Sequence, residues 1–260
     1  MKRRQLIGAL GAAVCGAAMP ILAQQLAKVW RIGYLVASSR TSSSDRLDAF
    51  RRGMRDLGYI EGKNLIIEQR YADGAYERLP GLAAELAKMQ VDVIVASGSV
   101  STRAAQQATS AIPIVALGAG DPVGSGFAAS LAHPGGNITG LSVITADLAP
   151  KRVELLMTIA HHPKRIALLL NPGNPTYAGV KETFKAVGQK IGIEILALDA
   201  HTPDEIERAF TTMKRERAGA VIVSADNLLF QQRKQIVELA AKHRLPAMSN
   251  GYASMSRPAV

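Results

Sequence analysis

Apolar positions recur along this chain with two periods, and the periods take turns. Residues 29–36 form a buried strand of nearly unbroken apolar character, and 43–57 carry Leu47, Phe50, Met54 and Leu57 on one helical stripe that Gly58 stops. Residues 65–71 alternate as a strand, and Leu79, Leu82, Ala83 and Leu86 mark a second amphipathic helix. A short apolar run at 91–96, a helix at 101–109 and a strand at 112–117 follow. His133-Pro-Gly-Gly-Asn137 is a strong turn, and 138–143 reads as a strand leaving the first unit. The pattern then starts again. Helices are predicted over 151–160, 177–191, from Thr202 or Pro203 onward, and 229–243. Strands are predicted over 165–170, 193–198, 220–223 and 245–248. Strands that alternate with helices specify βαβ units and parallel sheets. The fold class is therefore α/β, two Rossmann-like lobes joined near residues 144–150. The chain shows no internal repeat and no low-complexity tract.

The first 23 residues stand apart from this pattern. Lys2, Arg3 and Arg4 precede an apolar run from Leu6 to Ala18, and Ala23 ends a segment suited to cleavage. This is the layout of an export signal, and the run is too short for a bilayer anchor, which needs about 20 residues. The paired arginines leave both the general secretory and the twin-arginine route open. The expected organisation is a signal at 1–23, a first lobe over 24–146 and a second over 147–260, with the mature protein in the periplasm. Cys15 is the only cysteine and falls inside the signal. Without it the remaining chain has no disulfide, thiol nucleophile or thiolate metal site, and must be held by core burial.

The formal charge of +10 includes three charges in the signal. The remaining basic residues are spread among acids, as Arg46, Arg51, Arg52 and Arg55 are beside Asp45, Asp48 and Asp56. This is the pattern of a solvated helix face, and no nucleic-acid partner is expected.

Ligands in open parallel sheets bind beyond the carboxyl ends of the strands. The residues there are Ser38 and Ser39 after the first strand, Ser97, Gly98, Ser99, Ser101 and Thr102 after the third, and Asp121 after the fourth. In the second lobe they are Asn171, Asn174, Tyr177, Ser224 and Asp226. The 97–102 stretch leads into a helix, so its backbone N–H groups and hydroxyls suit either a carboxylate or simple capping. Asp121 and Asp226 suit either an ammonium group or the cap of the next helix. Tyr177 suits an aromatic wall or a packing contact. Gly118, Gly120 and Gly124 do not form a dinucleotide fingerprint, no phosphate-loop lysine follows a glycine run, and His161-His162 lacks the context of a metalloprotease site. No nucleophile elbow is present. Neither a cofactor, a metal nor a catalytic set is expected.

Several stretches together resemble a known family. They are 31–35 (Arg-Ile-Gly-Tyr-Leu), 50–64 around Gly53-Met-Arg-Asp-Leu-Gly58, 120–123 (Gly-Asp-Pro-Val), 133–140, 224–226 (Ser-Ala-Asp) and 233–246. In order and spacing the chain is similar to the substrate-binding proteins of ABC transporters, in the tryptophan- and tyrosine-binding branch. The resemblance implies a type I periplasmic-binding architecture whose two lobes close on a small ligand, and a membrane permease as partner; anion capture by the 97–102 stretch together with ammonium capture by an Asp makes an amino acid the expected ligand class, and a monomer is expected. It implies no enzymatic activity. A sensor subunit of the same fold and a periplasmic hydrolase are the alternative readings. Family members run on beyond the last strand to return to the first lobe, so the ending at 252–260 reads as a truncation that leaves apolar surface on the first lobe uncovered.

Overall fold

The structure, a computed structural model, describes residues 28–143 and 148–249. The signal at 1–23 with Cys15, positions 144–147 of the segment between the lobes, and the tail at 252–260 lie outside the described residues.

The first lobe runs β1 (Trp30–Val36), α1 (Arg40–Asp56), β2 (Leu65–Tyr71), a 3-10 turn (Tyr76–Arg78), α2 (Leu79–Lys88), β3 (Val93–Ser97), α3 (Gly98–Ala108), β4 (Ile114–Gly120) and β5 (Ile138–Val143). Its strands form one sheet in the order β2-β1-β3-β4-β5, parallel throughout. The second lobe runs α4 (Ala149–Ile159), β6 (Arg165–Leu170), α5 (Tyr177–Ile191), β7 (Glu194–Asp199), α6 (Pro203–Arg215), β8 (Ala220–Val223), α7 (Asn227–Gln231), α8 (Arg233–Lys242) and β9 (Ala247–Ser249). Its sheet has the order β7-β6-β8-β9 and is also parallel. These are the two Rossmann-like lobes of a type I periplasmic-binding architecture.

Each sheet is covered on both faces, which is why the central strands read as continuous apolar runs. In β1, Leu35 joins Leu79, Leu86, Ile94 and Ala105 on the face under α2 and α3. Ile32, Tyr34 and Val36 point the other way, to Leu47 and Phe50 of α1. Gly33 is small because a Cβ there would lie 3.0 Å from Leu86 Cδ1, so glycine lets α2 approach the sheet. In the second lobe one face buries Val153, Leu156, Leu168 and Phe184, and the other buries Ile206, Phe210, Met213 and Ile236. Truncating a buried Phe of this kind to Ala costs about 3–5 kcal/mol, so either face is a substantial share of lobe stability. Among the described residues β5 lies at the edge of its sheet, with Leu141 71% exposed.

Several elements begin or break a few residues from where the pattern predicts, and for three of them local conformation gives the reason. α1 starts three residues early because Ser39 caps it, its Oγ accepting from the Ser42 N–H. α3 starts at Gly98, whose φ of +79° turns the chain from β3 into the helix with no intervening loop. The predicted 229–243 helix is two, because Gln232 (φ −85°, ψ 13°) interrupts it and Asp226 caps the earlier piece.

Candidate functional site

Residues at the carboxyl ends of strands from both sheets line one cavity of about 280 Å3: Ser97 of β3, Gly118 and Gly120 of β4, Val143 of β5, Val223 of β8 and Ser249 of β9. Helices complete its wall with Arg46 of α1, Ser99 and Val100 of α3, Arg152 of α4, Val180 of α5, and Asn227 and Phe230 of α7. The walls thus combine aliphatic surface with hydroxyls, amides and two guanidinium groups, the mixture of a small-molecule site.

Ser97 is the N-cap of α3, yet its hydroxyl caps no N–H of that helix; it is 6% exposed and lines the cavity. Ser99 is committed differently, its Oγ accepting from the Gly120 N–H at 2.9 Å and so pinning β4 to α3. Ser224 spends its backbone N–H on the Leu169 carbonyl and, 7% exposed, reaches the cavity from the opposite lobe. Arg46 lies 5.8 Å from the centre of the Phe230 ring, a cation–π contact between lobes. Burial lowers the pKa of the Arg152 guanidinium from its usual value, as expected for a cation partly removed from water.

Asp226 is the chief tie between the lobes. Its Oδ1 accepts from the N–H groups of Leu228 (2.9 Å) and Leu229 (3.2 Å), which caps α7. Asn171 Nδ2 donates to the same oxygen at 3.1 Å, and Asn174 Nδ2 donates to Oδ2 at 2.9 Å. The Tyr76 hydroxyl, from the first lobe, donates to the carboxylate at 3.1 Å and accepts from the Leu228 N–H at 2.9 Å. Tyr76 titrates well above the usual phenol range, first because it is buried and next because Asp226 lies beside it. Gly98 meets the second lobe nearby, since a Cβ there would lie 3.0 Å from Asn227 Nδ2.

Of the residues expected at strand ends, Ser97, Gly98, Ser99, Asn174, Ser224 and Asp226 line the cavity. The others serve nearby structure. Ser38 Oγ shares a 2.6 Å hydrogen bond with Ser43 Oγ, and Ser39 caps α1. Ser101 and Thr102 lie within α3, as the predicted helix over 101–109 has them, and neither lines the cavity. Ser101 is fully buried with no partner for its Oγ, and Thr102 Oγ1 donates back to the Gly98 carbonyl at 2.9 Å. Asp121 is exposed and closes a turn by accepting from the Gly124 N–H. Asn171 is buried and orients Asp226. The Tyr177 hydroxyl donates to Asp199 and accepts from Lys181, outside the cavity.

Sequence reasoning missed Arg46, Arg152, Thr176, Phe230 and Tyr76. Arg46 was legible only as part of a solvated helix face; it in fact reaches the cavity beside inward-facing Leu47. Phe230 sits one helical turn beyond the Ser-Ala-Asp stretch, a signal that could have been used. Among the described residues no group of three or more His, Cys, Asp or Glu side chains is placed to hold a metal ion.

The family model described as ABC transporter substrate binding protein matches residues 32–260. A tyrosine-binding protein of Clostridioides difficile (strain R20291) is 26% identical over 212 residues. That match covers 81% of this chain and 60% of the relative, so this chain spans about three-fifths of the relative's length. A conserved domain protein of Vibrio cholerae O1 biovar El Tor has the same fold, with a TM-score of 0.80, 24% identity, and coverage of 88% of this chain and 76% of its own. The ABC domain from Streptococcus pneumonia, solved in complex with L-Trp, matches with a TM-score of 0.78 and 22% identity, covering 87% of this chain and 75% of its own.

Proposed function

This chain belongs to the ABC transporter substrate-binding proteins, and we propose that it is exported to capture a small carboxylate-bearing solute, an amino acid or related metabolite, between its lobes. The captured form is then presented to a membrane permease for import. Members of the family bind solutes and are not enzymes. The observation that carries the reading is the placement of one cavity at the carboxyl ends of strands from both sheets, with Tyr76 and Asp226 holding its two sides together. A solute that touches both sides favours the closed arrangement because it gains contacts there that an open one lacks. Ser97, Gly98 and Ser99 at the start of α3 receive the carboxylate, where the N–H groups of the first turn and the positive helix end favour an anion. Asn174 and Ser224 contact it from the second lobe. The tyrosine-binding relative supports a ligand of amino-acid type.

A thermal-shift screen of the purified chain against amino acids and their metabolites tests this. A ligand at about 100 times its Kd stabilises by about 2.7 kcal/mol, a visible rise in melting temperature. A cooperative melt that no member of such a panel moves would count against the proposed ligand class.

A further inference from the structure

Resting on the closing of the lobes proposed above, we infer that Gly120 and Thr176 are the positioning pair that sets how closely the lobes approach. A fixed methyl on the second lobe seats against a residue without a side chain on the first. A Cβ on Gly120 would lie 3.1 Å from Thr176 Cγ2, tighter than nine in ten such contacts in proteins. Both residues line the cavity, so their separation helps to fix its width. The contact continues one position on, where a Cβ on Gly179 would lie 3.6 Å from Asp121 Oδ2. Two consecutive residues at the end of β4 thus face Thr176 and Gly179, neighbours on one side of the first turn of α5.

Both partners are held in place. The Gly120 N–H donates to Ser99 Oγ at 2.9 Å, and its carbonyl accepts from Ser125 Oγ at 3.3 Å. Thr176 donates to Asn174 Oδ1 twice, from Oγ1 at 2.9 Å and from its N–H at 3.1 Å. The hydroxyl bond fixes the Thr176 rotamer and so aims Cγ2. Asn174 in turn donates to Asp226, which Tyr76 reaches from the first lobe. One hydrogen-bonded chain therefore orients both the tie at Tyr76 and the methyl at Thr176. The first lobe has room of its own for a methyl at 120. Within that lobe, among the described residues, a Cβ there meets only Ser99 Oγ, at an ordinary 3.7 Å, and the Gly120 φ is not positive. Alanine at 120 thus conflicts with the opposite lobe alone. Gly98 also meets the second lobe, but its φ of +79° would make a substitution strain the start of α3 as well.

The test is double electron–electron resonance between spin labels on Lys88→Cys of α2 and Lys185→Cys of α5, both exposed positions, with Cys15→Ser removing the native cysteine. The labelled chain is compared with Gly120→Ala, Thr176→Ser and the double variant, each with and without L-tyrosine or L-tryptophan. Thr176→Ser deletes Cγ2 and keeps the hydroxyl that bonds Asn174. The chain with Gly120 and Thr176 intact is expected to show a population at the distance between lobes that the structure fixes. Gly120→Ala is expected to shift it to longer distances, with the closed-to-open ratio lower by about fivefold or more. The double variant is expected to return to the original distribution. An unchanged distribution in Gly120→Ala, or a lengthened one that Thr176→Ser does not restore, overturns the inference and leaves the cleft as the ligand site. No population at that distance in the intact pair, with or without either amino acid, overturns both.

Discussion

The Tyr76 hydroxyl donates to the Asp226 carboxylate at 3.1 Å, joining side chains 150 positions apart in the chain and on opposite lobes. The same oxygen accepts the Leu228 N–H, so Tyr76 is inserted into the cap of α7 rather than resting on it. Closure is therefore coupled to the helix start that helps to form the cavity wall.

Tyr76→Phe keeps the ring and removes the hydroxyl. Asp226 retains its donors from its own lobe, so the second lobe stays intact and only the tie to the first is lost. A hydrogen bond to a charged group contributes about 1.5–3 kcal/mol net. The affinity for a solute that needs the closed form is expected to fall roughly tenfold or more, measured by titration calorimetry. Unchanged affinity would show that Tyr76 does not bias closure.

Alkaline pH acts on the same bond. The Tyr76 pKa is raised in the folded form, by burial first and by Asp226 second, above the ordinary phenol value of 10.0. A raised pKa means that the contribution of the neutral phenol is fully present below about pH 10 and is lost as pH rises beyond it. The melting temperature of the native chain is expected to fall more steeply above pH 10 than that of Tyr76→Phe. Parallel curves would contradict this.

Asp226→Asn separates two roles for this side chain. Asn caps helices about as well as Asp, but its amide would turn a donor toward Asn171 or Asn174, which now donate to both carboxylate oxygens. The account predicts a stability loss of about 2 kcal/mol, seen as a melting temperature lower by several degrees even without ligand. An unchanged melting temperature with lost binding would mean that Asp226 contacts ligand instead of holding the fold.

The limits of sequence reading are visible at these residues. The β2 strand at Leu65–Tyr71 and the α5 helix at Tyr177–Ile191 were legible to the residue, because alternation and a Val180, Phe184, Val187 stripe are local signals. The helix start at Thr202 or Pro203 was legible too, and the structure makes Thr202 the cap and Pro203 the first helical residue. Strand-end logic located Ser97, Ser224 and Asp226. It missed Tyr76 and Arg46 because their roles depend on Asp226 and Phe230, which only the closing of one lobe on the other brings near. It placed Ser101 and Thr102 correctly in a helix but wrongly at the site: with α3 beginning at Gly98, Ser101 is buried and Thr102 bonds back to the Gly98 carbonyl, and neither lines the cavity.

Ser101→Ala follows from that displacement. Its hydroxyl is buried with no partner, and removing an unsatisfied polar group is neutral or stabilising by about 1 kcal/mol. The melting temperature is expected to hold or rise, with affinity unchanged. Weakened ligand binding would restore Ser101 to the site.

The most direct measurement is a calorimetric titration of the solute found in the screen into the native chain and into a Ser97→Ala, Ser224→Ala double variant. The account predicts a single saturable site in the native chain, and in the variant an affinity at least about tenfold weaker at an unchanged melting temperature. Equal affinity in both would place the solute outside the cavity and contradict the reading of the cleft as the binding site.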